Sequence, residues 1–288
     1  MQVTKRDGKK EDFSVEKIHK VVIGATKGIN GVSFSDIEMN ANLSLYDGIA
    51  SSEIHQILIK SANDLISTSS PNYQYVAARL LNMQLRKEVW GCGTVPTDFL
   101  VFLERNIDNG IYDPSLLERW SNEDVEMFSK YINHSRDDLF TYAGLQQMID
   151  KYLVKNRSTG VIYETPQFAY MSIAMCLFKT VEEVKKAYDC YSTFKINLPT
   201  PIMAGVRTNI RQFASCVLVD IDDNLDAIFS SIHAVGKYTA RRAGIGLNIG
   251  RMRPINSPIR GGEVIHTGLI PYLKNFESAV KSTSQNGL

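Results

Sequence analysis

The chain has 288 residues, of which 44% are hydrophobic and 22% charged, and its 32 basic and 31 acidic side chains leave a net charge of +1. Such a length suits two domains, or one domain with a substantial extension, in an ordinary globular protein. The charge balance gives no electrostatic footprint for nucleic acid or an anionic membrane, and no apolar run approaches the roughly 20 residues of a membrane span.

The opening segment QVTKRDGKKEDFS alternates and turns at Asp7-Gly8, a short-range hairpin signal. Ser14 then stands where an N-cap belongs, ahead of Val15, Ile18, Val21, Val22 and Ala25 at helical spacing. A second amphipathic stretch follows Ser51 and Ser52, with Ile54, Ile57, Leu58 and Leu65 on one side. A third follows Pro71, with Val76, Leu80 and Met83 inside and Arg79, Arg86 and Lys87 outside. This hairpin-plus-helices unit, residues 1–92, ends in the breaker-rich run from Gly91 to Pro96, which reads as a linker.

Residues 93–200 are mainly helical, with a cap at Ser121 and a turn at Asp113-Pro114. The helical pattern starts at Thr97 and runs to about Met148, after which KYLVK and VIYE read as two strands around a Gly-containing turn. Helical runs resume from Gln167 to Tyr191. Over 201–288 the character changes. SCVLVDI and AGIGLNIG are short continuous apolar runs of the fully buried strand type, with a helical pattern from Asn224 to Ala240 between them. That order makes one unit of a parallel α/β structure. The fold class is therefore α+β followed by α/β.

Some residues invite chemistry without any family in view. Lys5, Arg6, Lys9, Lys10 and Lys17 around a hairpin could hold polyphosphate, or could be a solvated basic turn. Gly244, Gly246 and Gly250 have G-x-G-x-x-x-G spacing, which fails the dinucleotide fingerprint and fits close packing of a strand. Arg253 and Arg260 with Gly261-Gly262 can embrace an anion, or can form surface ion pairs. The cysteines, Cys92, Cys176, Cys190 and Cys216, are few and widely spaced, making neither a zinc pattern nor a disulfide framework. With a charged start unlike a secretory signal, a reducing cytoplasm is the expected location.

Three stretches carry a resemblance. VTKRDGKKEDFSVEKIHK, residues 3–20, resembles the opening of the ATP-cone, the regulatory nucleotide-binding domain in front of many ribonucleotide reductases. Residues 192–218, STFKINLPTPIMAGVRTNIRQFASCVL, and residues 242–287, from RAGIGLNIGRMRPIN onward, resemble the start of the catalytic barrel of the class I large subunit. The resemblance implies an ATP-cone, a mainly helical region and the first part of a ten-stranded α/β barrel left incomplete. It places ATP or dATP among Lys5, Glu11, Ser14, Lys17, Ser51, His55 and Lys87, although His55 also suits a packed structural role. It assigns Asp223, Asn224, Leu225, Arg253 and Arg260 to a specificity effector, a nucleoside triphosphate that selects the substrate. Thr200 and Ser215 match substrate-binding positions, and Cys216 matches one of two redox thiols beneath the substrate ribose.

The implied reaction is ribonucleoside diphosphate reduction. A thiyl radical takes hydrogen from the ribose C3′, the 2′-hydroxyl leaves as water, and a dithiol becomes a disulfide. A separate small (beta) subunit generates the radical, thioredoxin or glutaredoxin supplies the electrons, and the assembled large subunit forms a dimer.

The family's radical-bearing cysteine lies in an Asn-x-Cys-x-Glu setting. The residues flanking the four cysteines here at two positions are Trp90/Thr94, Ala174/Phe178, Tyr188/Ser192 and Ala214/Leu218, so none matches. The expectation is a split large subunit completed by a complementing C-terminal half, with truncation as the rival account. A nucleotide-binding regulatory fragment without catalysis is the alternative function.

Overall fold

In the computed structural model, residues 1–284 are described, with the exceptions of Asp7, Leu43, Thr97, Arg211 and Arg242. The first residue of the expected turn (Asp7), the expected start of the second helical region (Thr97), motif residues Arg211 and Arg242, and the terminal segment 285–288 lie outside the described residues. The chain forms two compact units, residues 1–210 and 211–288.

The first unit opens with β1 (Gln2–Thr4) and β2 (Lys10–Asp12), an antiparallel hairpin in which Val3 faces Glu11. Gly8, with φ +82°, supplies the left-handed conformation of its turn. Helices α1 (Val15–Thr26), α2 (Phe34–Asn42), α3 (Ser51–Asp64) and α4 (Tyr73–Trp90) follow. The Thr4 N–H donates to the Ile49 carbonyl (2.9 Å), and Thr4 bridges Ala50 in parallel, so the start of α3 is seated against β1. The short α2 lacks a strong apolar stripe and escaped the sequence reading; its Ile37 and Ala41 are nevertheless buried.

Several sequence expectations need correction in this part. Ser14 occupies the N-cap position, but its side chain makes no capping hydrogen bond, and Val15 is exposed. The expected outer face of α4 is not outside either. Tyr73, Val76, Ala77, Ala78, Leu80, Leu81, Asn82 and Leu85 are buried, so the helix is embedded nearly all round. Arg79 donates to the carbonyls of Ala25 and Lys27, and Arg86 pairs with buried Asp137.

Next come α5 (Phe99–Asp108), α6 (Ser115–Glu118), α7 (Asn122–Tyr131), a 3-10 turn (His134–Leu139), α8 (Tyr142–Gln147) and a π-helical turn (Met148–Tyr152). Ser121 caps α7 as expected, in a reciprocal capping box with Asp124. Residues 151–164 are not two strands. A hairpin is present, but its pairing is a single antiparallel bridge, Lys155 to Ile162, because the π-helical turn takes up the start of the segment. Helices α9 (Pro166–Leu177), α10 (Val181–Ser192) and α11 (Thr200–Gly205) complete the unit. In α9 every residue from Pro166 to Met175 is buried. One hydrophobic core runs without a break from Val22 to Met203, passing across segment 91–96, which is exposed except for the half-buried Val95.

At the C-terminal end of this unit, Arg207 is fully buried. Its Nε donates to Glu164 Oε2 (2.8 Å) and an Nη2 hydrogen bond to the other carboxylate oxygen makes the pair bidentate. The remaining donors reach the carbonyls of Met203 (2.6 Å) and Tyr152 (3.0 Å), the latter at the end of the π-helical turn. The Tyr112 hydroxyl donates to the same Glu164. Burial, then the adjacent carboxylate, pushes that hydroxyl well above the ordinary tyrosine range, so it remains a donor.

The second unit contains β3 (Cys216–Asp220), α12 (Leu225–Ala240) and β4 (Gly244–Asn248), with β3 and β4 parallel and Cys216 opposite Gly244. The expected strand–helix–strand unit is present. A two-residue pair, β5 (Pro258–Ile259) and β6 (Val264–Ile265), flanks a 3-10 turn, and α13 (Ile270–Thr283) packs on α12. Ile221, Ile228, Val235, Met252 and Phe276 form the core. The strands are not fully buried as expected: Cys216 is exposed and Leu218 is 88% exposed, since α12 and α13 cover only one side. A Cβ on Gly246 would lie 2.7 Å from Leu218 Cδ2, the close approach that its glycine permits. Among the described residues there is no closed barrel, and no helix is long and apolar enough to cross a membrane.

Two stability tests follow. Arg207→Met leaves the Glu164 carboxylate buried without its cation and is expected to cost about 3–5 kcal/mol, read as a lower thermal midpoint. Arg207→Met combined with Glu164→Gln should recover part of that loss; an unchanged midpoint in the single variant would refute this role. His134 is held at a pKa of about 4 by burial and by Arg86. Its neutral form is favoured in the fold, so the associated stability is complete above about pH 6.5 and is lost as pH falls towards 4. The loss amounts to roughly 3 kcal/mol. A pH series of unfolding midpoints should be flatter over that window in His134→Phe than in the wild type.

Candidate functional site

The hairpin and the start of α1 place Lys5, Glu11 and Lys17 together. Both lysine ammonium groups lie 2.9 Å from Glu11 Oε1. The hydrogen bond from Lys17, then that from Lys5, holds the half-buried Glu11 carboxyl below the usual carboxylate range. Lys87, half-buried near the end of α4, lies within electrostatic reach of Arg6 and Lys5. Burial pushes its ammonium pKa down, and repulsion from Arg6 and Lys5 adds to the effect. Among the described residues, Lys5 and Lys17 share the Glu11 carboxylate with Arg6 and Lys87 nearby, a crowding of cations that a polyphosphate would relieve.

His55 belongs to the same neighbourhood. It is buried on α3, and its Nε2–H donates to the Leu80 carbonyl of α4 at 2.7 Å. Burial lowers its pKa against that hydrogen bond, and Lys87 and Arg6 lower it further, so the ring is neutral near pH 7. The packed role weighed for this residue is therefore part of its geometry. Ser51 is the first residue of α3, whose N-terminal end abuts β1 just before Lys5 and Arg6. Free N–H groups at such a helix start favour an anion. The Ser14 hydroxyl, without a capping bond, stands at the start of α1.

In the second unit, Asp223 and Arg253 meet: Arg253 Nε lies 2.6 Å from Asp223 Oδ2, and its Nη2 donates to the Asp223 carbonyl at 3.4 Å. Burial works against the Asp223 carboxylate, but Arg253 and then His266 outweigh it and lower its pKa. Asn224 caps α12 by accepting from the Ala227 N–H (2.8 Å), and Leu225 is 59% exposed beside it. Arg260 is exposed in the turn between β5 and β6, where it, Gly261 and Gly262 all have positive φ. The sequence reading passed over Arg251, which bridges Asp220 (2.8 Å) and Asp222 (2.9 Å). Alternating acids in the VDIDD run were the available signal.

The substrate-binding candidates are not gathered within either unit. Thr200 is exposed at the start of α11 in the first unit. Ser215 and Cys216 are exposed in the second, where the Ser215 carbonyl accepts from the Gly244 N–H (2.8 Å). Among the described residues, Cys92, Cys176, Cys190 and Cys216 form no disulfide.

Three family models match the chain: the ATP cone domain over residues 1–88, the ribonucleotide reductase all-alpha domain over 138–211, and the ribonucleotide reductase barrel domain over 214–288. Ribonucleoside-diphosphate reductase 1 subunit alpha of Escherichia coli (strain K12) is 48% identical over 99% of this chain and 38% of its own length. The chain belongs to the ribonucleotide reductase large-subunit family.

The corresponding subunit alpha of Haemophilus influenzae is 46% identical over the whole of this chain and 39% of its own length. That of Enterobacteria phage T4 is 43% identical over the same shares. The chain thus spans less than two-fifths of the reductase subunits it resembles, corresponding to their N-terminal part. In this family frame the Lys5–Glu11–Lys17 cluster, Lys87 and His55 all fall within the ATP-cone match, and Asp223, Arg253 and Arg260 within the barrel match.

Proposed function

We propose that this chain is the N-terminal part of a ribonucleoside-diphosphate reductase large subunit, carrying two nucleotide effector sites and one redox thiol. The observation that carries the reading is the convergence of Lys5, Glu11, Lys17, Lys87 and His55 from four elements within the ATP-cone match. Lys5, Lys17 and Lys87 neutralise the phosphates of ATP or dATP, Glu11 spaces the lysines, and Ser14, Ser51 and His55 orient the ribose or base. Asp223, Asn224 and Leu225 hold the sugar and base of a specificity dNTP, whose phosphates lie towards Arg253 and Arg260. In this reading the domains are 1–92 the cone, 93–200 the helical part of the catalytic domain and 201–288 the first part of the barrel, with α11 and Arg207, at the start of the last, packing in the first compact unit.

In this reading Thr200 and Ser215 bind the substrate, and the exposed Cys216 thiol works under the ribose. Once the radical has activated C3′, the 2′-hydroxyl leaves as water. Cys216 and a second cysteine give up two electrons and two protons and end as a disulfide, which thioredoxin or glutaredoxin reduces. The second thiol and the Asn-x-Cys-x-Glu radical cysteine have no match in these 288 residues. The reaction therefore uses the remaining segments of the large subunit, in the same or a separate polypeptide, together with a small (beta) subunit that generates the radical.

Two measurements test this. In calorimetric titrations, ATP should bind the wild type, and Lys87→Met should weaken it by about ten- to a hundredfold, the value of one charge-assisted contact at about 1.5–3 kcal/mol. Equal affinities would remove Lys87 from the site. In the assembled holoenzyme, Cys216→Ser should abolish reduction of ribonucleoside diphosphate while ATP affinity is kept. Activity that survives the substitution would dismiss Cys216 as a redox thiol and leave the regulatory role alone.

A further inference from the structure

Two elements of the nucleotide cluster also run into a buried polar joint with the helical region. Helix α4 carries Lys87, and the adjacent Arg86 donates to Asp137 Oδ2 (2.9 Å) and to the His134 carbonyl (3.2 Å) of the 3-10 turn. Asn82, one turn earlier, reaches the same carboxylate oxygen (3.4 Å). The other oxygen of Asp137 accepts from Gln167 of α9 (2.9 Å), and Gln167 in turn accepts from the Tyr188 hydroxyl of α10 (2.7 Å). Arg79 lies seven residues before Arg86, on the same face of α4. It pairs with Asp138 (3.5 Å) and donates to the carbonyls of Ala25 (3.2 Å) and Lys27 (2.6 Å) at the end of α1. Helix α1 begins at the other end of the cluster, with Lys17 in its first turn.

This joint differs from passive glue in one respect. Asn82 Oδ1, Arg86 Nε and His134 Nδ1 are buried there with no hydrogen-bond partner among the described residues. Buried polar groups are ordinarily satisfied, and a network that is only partly satisfied is held less firmly than a complete one. Asp137 is 2% exposed, so withdrawal of Arg86 would leave a buried carboxylate short of its cation. Intermediate positions are therefore unfavourable, and the joint favours discrete pairings over continuous drift.

We infer that Asp137 and Arg86 are positioning residues through which nucleotide occupancy at the cone alters the helical region; this rests on the reading of residues 1–88 as a nucleotide-binding cone. A polyphosphate draws Lys17 and Lys87 towards itself and so loads α1 and α4, both of which end in the joint. The Leu80 carbonyl adds a third link, since the His55 that accompanies the nucleotide donates to it. Rearrangement at Asp137 then passes to α9 through Gln167 and to α10 through Tyr188.

Hydrogen exchange on the 288-residue chain, with and without ATP, tests this directly. In the wild type, ATP should slow exchange at residues 3–17 and 51–56 and also change it at 134–139 and 166–177. In Asp137→Asn, and in the gentler Tyr188→Phe, which removes one hydroxyl, the response at 3–17 and 51–56 should persist while that at 134–139 and 166–177 is lost. ATP affinity in both variants should stay within about fivefold of the wild type, the low end of an allosteric coupling. The inference is overturned if ATP protects the cone of the wild type but leaves 134–139 and 166–177 unchanged, or if their response survives in both variants. Absence of ATP protection at 3–17 and 51–56 in the wild type would overturn the nucleotide reading itself, and the inference with it.

Discussion

The pairing of Arg207 with Glu164 is the constraint around which the first unit closes. Desolvating both charges is costly, and only a geometry that satisfies nearly every donor and acceptor offsets that cost. The surrounding groups supply such a geometry. Tyr112 contributes a hydroxyl to Glu164, while Met203 and Tyr152 contribute carbonyls to Arg207. The Arg207 carbonyl accepts from the Asp113 N–H (3.0 Å), so backbone and side chain of one residue lock four segments distant in sequence. The π-helical turn at 148–152 belongs to the same solution, because its end presents a carbonyl to the guanidinium that a continuing α-helix would have used internally. What the pair supplies is a single arrangement of α11 against the hairpin and α5, more than net stability.

A second organising element is α4. It is embedded among α1 and α3 on one side and α8 and the 3-10 turn on the other, so it belongs equally to the cationic cluster at the hairpin and to the helical core. This double membership explains its composition. Alanines at 77 and 78 allow close approach, and the arginines that the pattern assigned to solvent are engaged by carbonyls and acids. Aromatic packing extends the same core: Trp90 meets Phe102 and Phe168 edge-on, with the Arg105 guanidinium 4.7 Å above its indole.

Much of this was legible in the residues themselves. Asp7-Gly8 announced the hairpin, Ser121 its capping box, and the apolar runs on either side of residues 224–240 the parallel strand–helix–strand unit. The family motifs brought Lys5, Glu11, Ser14, Lys17, Ser51, His55 and Lys87 forward as a set; Lys5 and Lys17 share Glu11 in the fold, whereas His55 is turned to the Leu80 carbonyl. What escaped reading depends on contacts distant along the chain. Glu164 and Arg207 are 43 residues apart and carry no spacing signal. Arg79 and Arg86 look like solvent-facing charges until the 3-10 turn is packed against them. The β3 run is apolar enough for burial on both faces, but burial needs a covering layer, and α12 and α13 cover one side only.

The uninterrupted core across residues 91–96 bears on how such a regulatory module can be gained or lost. Apart from Val95 that segment is exposed, and it is rich in breakers, the usual place to cut and rejoin domains. Yet excision there would remove α4 along with the cone, stripping the apolar cover from α8 and leaving Asp137 without Arg86. A lineage that discards the cone must therefore retain a substitute for α4 or resurface the helices beneath it. In this chain the regulatory module is grafted by a shared helix, and exchange of the module is constrained by that helix more than by the loop that follows it.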